Sequence, residues 1–380
     1  MKYIINGRII LKTSVLEGKA LVYDSKIIDI IDNDKVPAGA DIIDAKGNYV
    51  SPGLIDIHMH GYLGDEACDD DKEVMRRMSA GIVKNGVTGW LPTTMTVARN
   101  KIENAFKFAR ELKEESKTWM GSAILGVNSE GPFINAKRKG AQAEEYILKP
   151  DASLVKEYAD VVKIITMSPE TDEDFAEIKK IANETDVVVS IGHSDADYET
   201  AIAAFDCGVK HVTHLFNAQT PLNHRKPGIV GAALSRKDIT TELICDTFHI
   251  HKGLFQLVAD CKQDKLILIT DCVRAGGLSD GEYTLGGQKI FVNGIECLME
   301  DGTIAGSVLT LNKAVYNFFS NTDWPIYKVV YAASMAPAQV INVDDKKGSI
   351  EIGKDADIII ADDNFNIIKT IIGGTVRYEA

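Results

Sequence analysis

Hydrophobic and polar positions change their rhythm twice along the chain. From Met1 to about Val50, short apolar stretches are separated by turns such as Asn6-Gly7 and Lys46-Gly47-Asn48, with no helical period, and they read as β-strands. The segment from Gly348 to Ile360 and the tail through Val376 have the same character. An isolated hairpin is marginal in water, so the two β-rich ends are expected to pair into one small β-sandwich domain made of residues 1–51 and 346–380.

The middle, residues 52–345, alternates. Apolar runs expected to be buried strands lie at 54–60, 87–93, 122–130, 161–167, 187–193, 211–215, 242–246 and 266–271. Helical patterns at 72–85, 100–116, 172–184, 196–207 and 252–261 fall between them. Eight strands with intervening helices predict an α/β fold, a (β/α)8 TIM barrel. The active site of such a barrel lies at the C-terminal ends of its strands, so the residue that ends each run is the informative one.

The first run, Leu54-Ile55-Asp56-Ile57-His58-Met59-His60, ends in two histidines one residue apart. Side chains at i and i+2 share a face of a strand, so both imidazoles reach one side. The third run ends in Glu130, the fifth in His193, the sixth in His214 and the eighth in Asp271. Four of only eight histidines, with two carboxylates, thus converge on one mouth. A single strand-end histidine is more often structural; the convergence points to a hydrolytic centre holding one or two divalent ions through nitrogen and oxygen. Such donors suit zinc foremost, then iron, manganese or cobalt. His211 reads as structural, while His224, His249 and His251 fall in loops above the barrel.

Composition narrows the partners. Lys and Arg number 42 against 55 Asp and Glu, a net charge of −13 that repels nucleic acid and anionic membranes and leaves anionic substrates to local cations. No basic-then-apolar leader is visible, and no apolar run approaches the roughly 20 residues of a membrane span, which predicts a cytoplasmic protein. The six cysteines form no CxxC pair and predict neither a disulfide framework nor a thiolate zinc site.

One set of motifs carries a resemblance. It comprises Pro52-Gly53-Leu54-Ile55-Asp56-x-His58-x-His60-Gly61, Glu130-Gly131-Pro132-Phe133, Gly192-His193-Ser194, Thr270-Asp271 and Gly353-Lys354-Asp355-Ala356-Asp357. Its most specific part is His214-Leu215-Phe216-Asn217-Ala218, followed by Pro221-Leu222-x-His224-Arg225-x-Pro227-Gly228. The set resembles the amidohydrolase superfamily and, within it, the N-acetylglucosamine-6-phosphate deacetylase family over essentially the whole length. The resemblance implies metal-dependent hydrolysis of the N-acetyl group of a phosphorylated amino sugar, in a homodimer.

It also implies roles. Glu130, His193 and His214 match the ligands of a principal metal, His58 and His60 a second position, and Asp271 the general acid/base beside the metal. Ala141, Gln142, Asn217, Ala218, Arg225, Asp246, His249, Ile304, Ala305 and Gly306 match the substrate pocket. Arg225 and His249 would help hold the phosphate, with the partner subunit contributing, and His249 would also be a donor to the acyl oxygen. Arg138 and Lys139 read as surface charge.

The chain departs from the family at Gln142 (usually His), Thr247 (usually Gly), Cys272 (usually Ala) and Gln219 (usually Met), all in the substrate shell. Another N-acyl amino sugar therefore stays open as substrate. So do hydrolysis of a cyclic amide and a metal-binding paralogue with altered catalysis. Lys163 lies near the start of its run, so it does not supply the carboxylated lysine many relatives use where this chain has Glu130.

Overall fold

The computed structural model describes residues 1–380. At its centre a parallel sheet curls into a barrel. The staves are β1 (Leu54–Met59), β2 (Val87–Thr94), β3 (Val127–Glu130), β4 (Val162–Met167), β5 (Val188–Ile191), β6 (His211–Val212), β7 (Thr240–Ile244) and β8 (Leu266–Ile269). Each is hydrogen-bonded in parallel to the next. The seam from β8 back to β1 closes by fewer bonds. Thr270 Oγ1 donates to Asp56 Oδ2 at 2.6 Å, Asp271 N to His58 O at 2.9 Å and His60 N to Cys272 O at 2.8 Å. Both faces of these strands are covered, and every stave residue except Lys163, Val188 and Thr240 is buried, so burial does not alternate along them.

A helix follows every stave: α1 (Glu73–Ile82), α2 (Arg99–Ser116), α3 (Ala152–Glu157), α4 (Ala176–Glu184), α5 (Tyr198–Asp206), α6 (Gly228–Ser235), α7 (Phe255–Lys262) and α8 (Leu311–Ser320). Three of them give no expected pattern. α3 is six residues long, too short to establish a period. α6 is apolar nearly all round because it is packed on several sides. α8 is separated from β8 by an insertion, a three-stranded antiparallel sheet of Gly281–Leu285, Gln288–Asn293 and Glu296–Met299. The expected third run also divides, into Ala123–Ile124 and β3, around Gly126 at φ 154°, where a Cβ would lie 2.6 Å from the Val161 carbonyl oxygen.

The two chain ends build two further sheets. One holds Lys2–Ile5, Lys19–Tyr23, Ile27–Asp32 and Asp41–Asp44. The other is six-stranded and mixes the ends, because Ile358–Ala361 pairs antiparallel with Tyr49–Pro52. Ile4, Leu21 and Tyr23 of the first sheet share a core with Ile9, Val50, Ile358 and Ile360 of the second. Ile359 and Ala361 alternate to the opposite face and belong to the barrel core. No helix is long and apolar enough to cross a membrane.

Lys262, the last residue of α7, is 1% exposed, and its Nζ donates to the Ala233 and Arg236 carbonyls at 2.8 and 2.7 Å. Desolvation pulls its pKa down to about 8. An unfolded lysine keeps its proton to about pH 10.4. Between these values the unfolded chain binds more protons than the folded one, so stability from this group rises with pH, by on the order of 3 kcal/mol across the window. Lys262→Met should lose that rise relative to the parent in denaturant unfolding at pH 8 and pH 10. Identical pH dependence in the two proteins would refute the assignment.

Candidate active site

The barrel mouth gathers four imidazoles and two carboxylates, all buried. His58 lies in β1, His60 directly after it, and Glu130 ends β3. His193, His214 and Asp271 stand two residues beyond β5, β6 and β8, each with a positive φ of 47°, 29° and 51°. A non-glycine residue in that region costs of order 1–3 kcal/mol, and such residues persist where the surroundings over-determine them. No glycine marks these turns, so the sequence places the three side chains at strand ends without showing the turns that carry them.

The donor atoms form two sets, His58 with His60 and Asp271, and Glu130 with His193 and His214, each within 4.8 Å. In the first, the Nε2 atoms of His60 and His58 lie 3.2 and 3.5 Å from Asp271 Oδ1. In the second, the Nε2 atoms of His193 and His214 lie 3.2 and 2.8 Å from Glu130 Oε1. Glu130 also reaches across, 3.3 Å from the Nε2 of both His58 and His60.

Three of the histidines present Nε2 because Nδ1 is engaged elsewhere. That of His58 bonds to Glu242 Oε2 at 2.9 Å, that of His60 to Thr93 O at 3.2 Å and that of His193 to Arg138 O at 2.8 Å. Fixing one ring nitrogen in this way sets the tautomer and leaves the other for a metal. His58 Nε2 is buried with no hydrogen-bond partner, and the Nε2 atoms of His193 and His214 face each other at 3.2 Å. These residues fit divalent cations bound through nitrogen and oxygen.

The electrostatics agree. Burial pulls His60 down, but Asp271 and Glu130 outweigh it and lift the imidazole to about 9. Burial also works against the charge on His58, and Glu242, Glu130 and Asp271 overcome it. Glu130 and Asp271 are pushed up by burial, yet His193 and His58 around the one, and His58 and His60 around the other, hold both below their ordinary values.

Above the cluster is a cavity of about 390 Å³. His60, Glu130, His193, His214 and Asp271 line it, and Ala141, Gln142, Asn217, Ala218, His249, Ile304 and Gly306 join them as expected. Gln142 donates from Nε2 to Glu130 Oε2 and accepts at Oε1 from Thr96 N, both at 2.5 Å. Asp246 stands behind His249, receiving its Nδ1 at 2.6 Å, and Ala305 is fully buried behind Ile304 and Gly306.

Arg225 lies apart from these residues. A tight turn through Asn223 and Lys226 leaves it exposed, with Nη1 2.6 Å from His224 Nε2, and it does not line the cavity of its own chain. The cations that do are Lys137 and Arg138, both bonded to Asp195, at 3.3 and 2.9 Å. Arg138 is thus part of the wall and not only surface charge, whereas Lys139 is not on the wall. Lys163, on β4, does not line the cavity either. Glu242 has no place in the sequence expectation. Its signal was available: a carboxylate inside the barrel run Thr240-Thr241-Glu242-Leu243-Ile244 is out of character for its surroundings.

The family profile described as the Amidohydrolase family matches residues 49–377. The chain belongs to the amidohydrolase family. This amidohydrolase is 36% identical over 373 residues to the N-acetylglucosamine-6-phosphate deacetylase of Bacillus subtilis (strain 168), covering 96% of this chain and 93% of that one. The crystal structure of N-acetylglucosamine-6-phosphate deacetylase from Pasteurella multocida superposes with a TM-score of 0.93 at 31% identity, over 100% of both chains. A mutant of the Mycobacterium smegmatis deacetylase in complex with N-acetyl-D-glucosamine-6-phosphate gives 0.91 at 25% identity, over 99% of both. The family is metal-dependent, and the two donor sets of this member are groups able to bind the ions.

Removing divalent ions with a chelator should therefore lower the melting temperature by several degrees, and adding zinc back should restore it. Ions at 100 times their dissociation constant add about 2.7 kcal/mol per site. Because ion-free His60 holds its proton up to about pH 9, ion uptake at pH 7 should also release protons, which an indicator dye would record. An unchanged melting temperature and no proton release would argue against ions at this cluster.

Proposed function

We propose that the protein hydrolyses the N-acetyl group of N-acetylglucosamine 6-phosphate, giving acetate and glucosamine 6-phosphate, in amino-sugar catabolism. The observation that carries this reading is Asp271, a buried carboxylate facing both a histidine cluster and a cavity in a chain that aligns with such deacetylases over nearly its whole length.

Glu130, His193 and His214 would hold one ion, and His58 and His60, with Asp271 in reach, a second. The chemistry such ions supply is the activation of water, whose pKa falls from 15.7 to about 7 beside a metal. Asp271, whose Oδ1 lies 3.2 Å from His60 Nε2, takes the water proton as the acetyl carbonyl carbon is attacked. It then gives that proton to the sugar nitrogen as the C–N bond breaks. Proton transfer of this kind contributes typically about 10²–10⁴-fold. His249, fixed through Nδ1 on Asp246, offers Nε2 to the substrate. Gln142 uses its Oε1 on Thr96 and one N–H on Glu130, so it steadies Glu130 and carries neither charge nor proton for the acyl group. That last point favours one further substrate class, another N-acyl amino sugar.

Lys137 and Arg138 give the cavity a cationic side within its own chain. We assign Arg225 to the cavity of a partner in a homodimer, because it is exposed here and a guanidinium matches phosphate geometry bidentately. Zinc is the ion we assign first, and the cytoplasm the compartment. Residues 1–51 with 346–380 are taken as the sandwich domain and 52–345 as the catalytic barrel.

Acetate should be released from N-acetylglucosamine 6-phosphate in a chelator-sensitive reaction. Asp271→Asn should lower kcat by about 10²-fold or more with metal content near that of the parent; substantial residual turnover would remove Asp271 from its role. Mixing Asp271→Asn with Arg225→Ala subunits tests the dimer. A mixed pair contains one site with both residues intact if Arg225 acts across the interface, so activity should reappear on subunit exchange. No recovery would place Arg225 elsewhere.

A further inference from the structure

Glu242 sits in the middle of β7, is fully buried, and does not line the cavity. An ionised carboxylate buried on a barrel strand is unfavourable unless its oxygens are all engaged. They are. Oε2 accepts from His58 Nδ1 at 2.9 Å and from the backbone N–H of His214 at 3.0 Å, and Oε1 accepts from His211 Nε2 at 3.0 Å. His211 is held in turn by Thr240 Oγ1, 2.7 Å from its Nδ1. Three donors leave the carboxylate a single orientation.

Two of those donors belong to different donor sets. His58 stands with His60 and Asp271, and His214 with Glu130 and His193. The backbone of Glu242 adds a second hold on the His214 turn, since its carbonyl accepts Leu215 N at 2.9 Å. One residue therefore grips both peptide N–H groups that flank the His214 Cα and carbonyl. That turn needs gripping, because its φ of 29° falls short of the left-handed well near 50–70°. The His214 ring meets Glu130 Oε1 at Nε2, 2.8 Å away, but its Nδ1 is buried without a partner. The position of His214 Nε2 thus depends on its backbone, which Glu242 holds at two N–H groups and Asn217 N holds at the carbonyl, 3.0 Å away.

We propose that Glu242 is a positioning residue that ties the two metal subsites together, aiming His58 Nε2 at one ion and the His214 turn at the other. It touches neither ion nor substrate. The inference rests on reading the two donor sets as metal sites, and it makes the affinities of the two sites depend on one side chain. Partners of metal-bound histidines typically change metal affinity about 10–100-fold when altered.

The test is retention of metal by the full-length holoenzyme. Zinc-loaded parent and Glu242→Gln are equilibrated with graded chelator, and zinc retained per chain is counted by mass spectrometry. Glutamine keeps the volume but offers an NH2 group where one or two of the three donors need an acceptor. Both ions should leave Glu242→Gln at chelator activities about 10–100-fold lower. Glu242→Asp should fall between the two proteins at both sites and serves as the readout if Glu242→Gln does not fold. The cobalt(II)-loaded variant should show a changed visible spectrum, which loss of global stability alone would not produce. With zinc saturating, KM should stay within about twofold of the parent, because no substrate contact is altered. Parent-like retention of both ions, or weakening of one ion with the other unmoved, would overturn the proposal. Retention is read without substrate, so its failure is distinct from a failure to release acetate.

Discussion

A carboxylate or an imidazolium leaves water only when opposite charge stands beside it, and the mouth of this barrel removes six ionisable side chains at once. Each of Glu130 and Asp271 faces imidazoles, and each of those imidazoles faces a carboxylate, so no member of the cluster can be moved or replaced without stranding another. The scaffold is arranged to meet that demand. Five of the six side chains come from different neighbourhoods of the barrel rim, and the sixth, His60, shares a stave with His58. Parallel pairing of the eight strands brings all their C-terminal ends to one level. The sparse seam between β8 and β1 is placed where it matters, because the bonds that close it run through Asp56, His58, His60, Asp271 and Cys272, the backbone of the first donor set.

Much of this was legible in the chain. The barrel strands could be found because burial on both faces leaves short, largely apolar segments between helical patterns, and the ligands because a histidine or acid closes such a segment at the level where a barrel keeps its chemistry. His58-x-His60 was the plainest signal, since a period of two places both rings on one side. What stayed hidden has physical causes. α6 has no polar face to mark it, α3 is too short, and the insertion before α8 carries strands unrelated to the barrel repeat. The left-handed turns under His193, His214 and Asp271 are imposed by tertiary contacts and have no glycine to announce them. Arg225 shows what a motif leaves open: Asn217 and Ala218 line the cavity of their own chain, while the turn through Asn223 and Lys226 carries Arg225 outward.

The surroundings of the cluster divide its labour. Backbone carbonyls of Thr93 and Arg138 and the carboxylate of Glu242 orient rings, Gln142 holds the far oxygen of Glu130, and Asp246 aligns His249. Of these partners only Asp246 is a ligand type at a strand end; Glu242 lies within its run and the others act through backbone carbonyls or an amide. They stand out in the structure as the reasons why each reactive atom points where it does. The amidohydrolase scaffold thus separates two tasks: strand ends supply the chemistry, and residues one layer back supply its aim.

The six-stranded sheet has a bearing on biosynthesis. Tyr49–Pro52 finds its antiparallel neighbour only in Ile358–Ala361, roughly three hundred residues later. At about 5–20 residues per second, a ribosome would leave that edge bare for roughly 15–60 s. Throughout this interval the nascent amino-terminal strands present an open border, Tyr49-Val50-Ser51-Pro52, and unpaired strand edges invite association with other chains. The Ile358–Ala361 strand therefore seals the newborn molecule on two sides, and a chain cut short before Ile358 would leave both an unguarded sheet and a barrel core lacking Ile359 and Ala361.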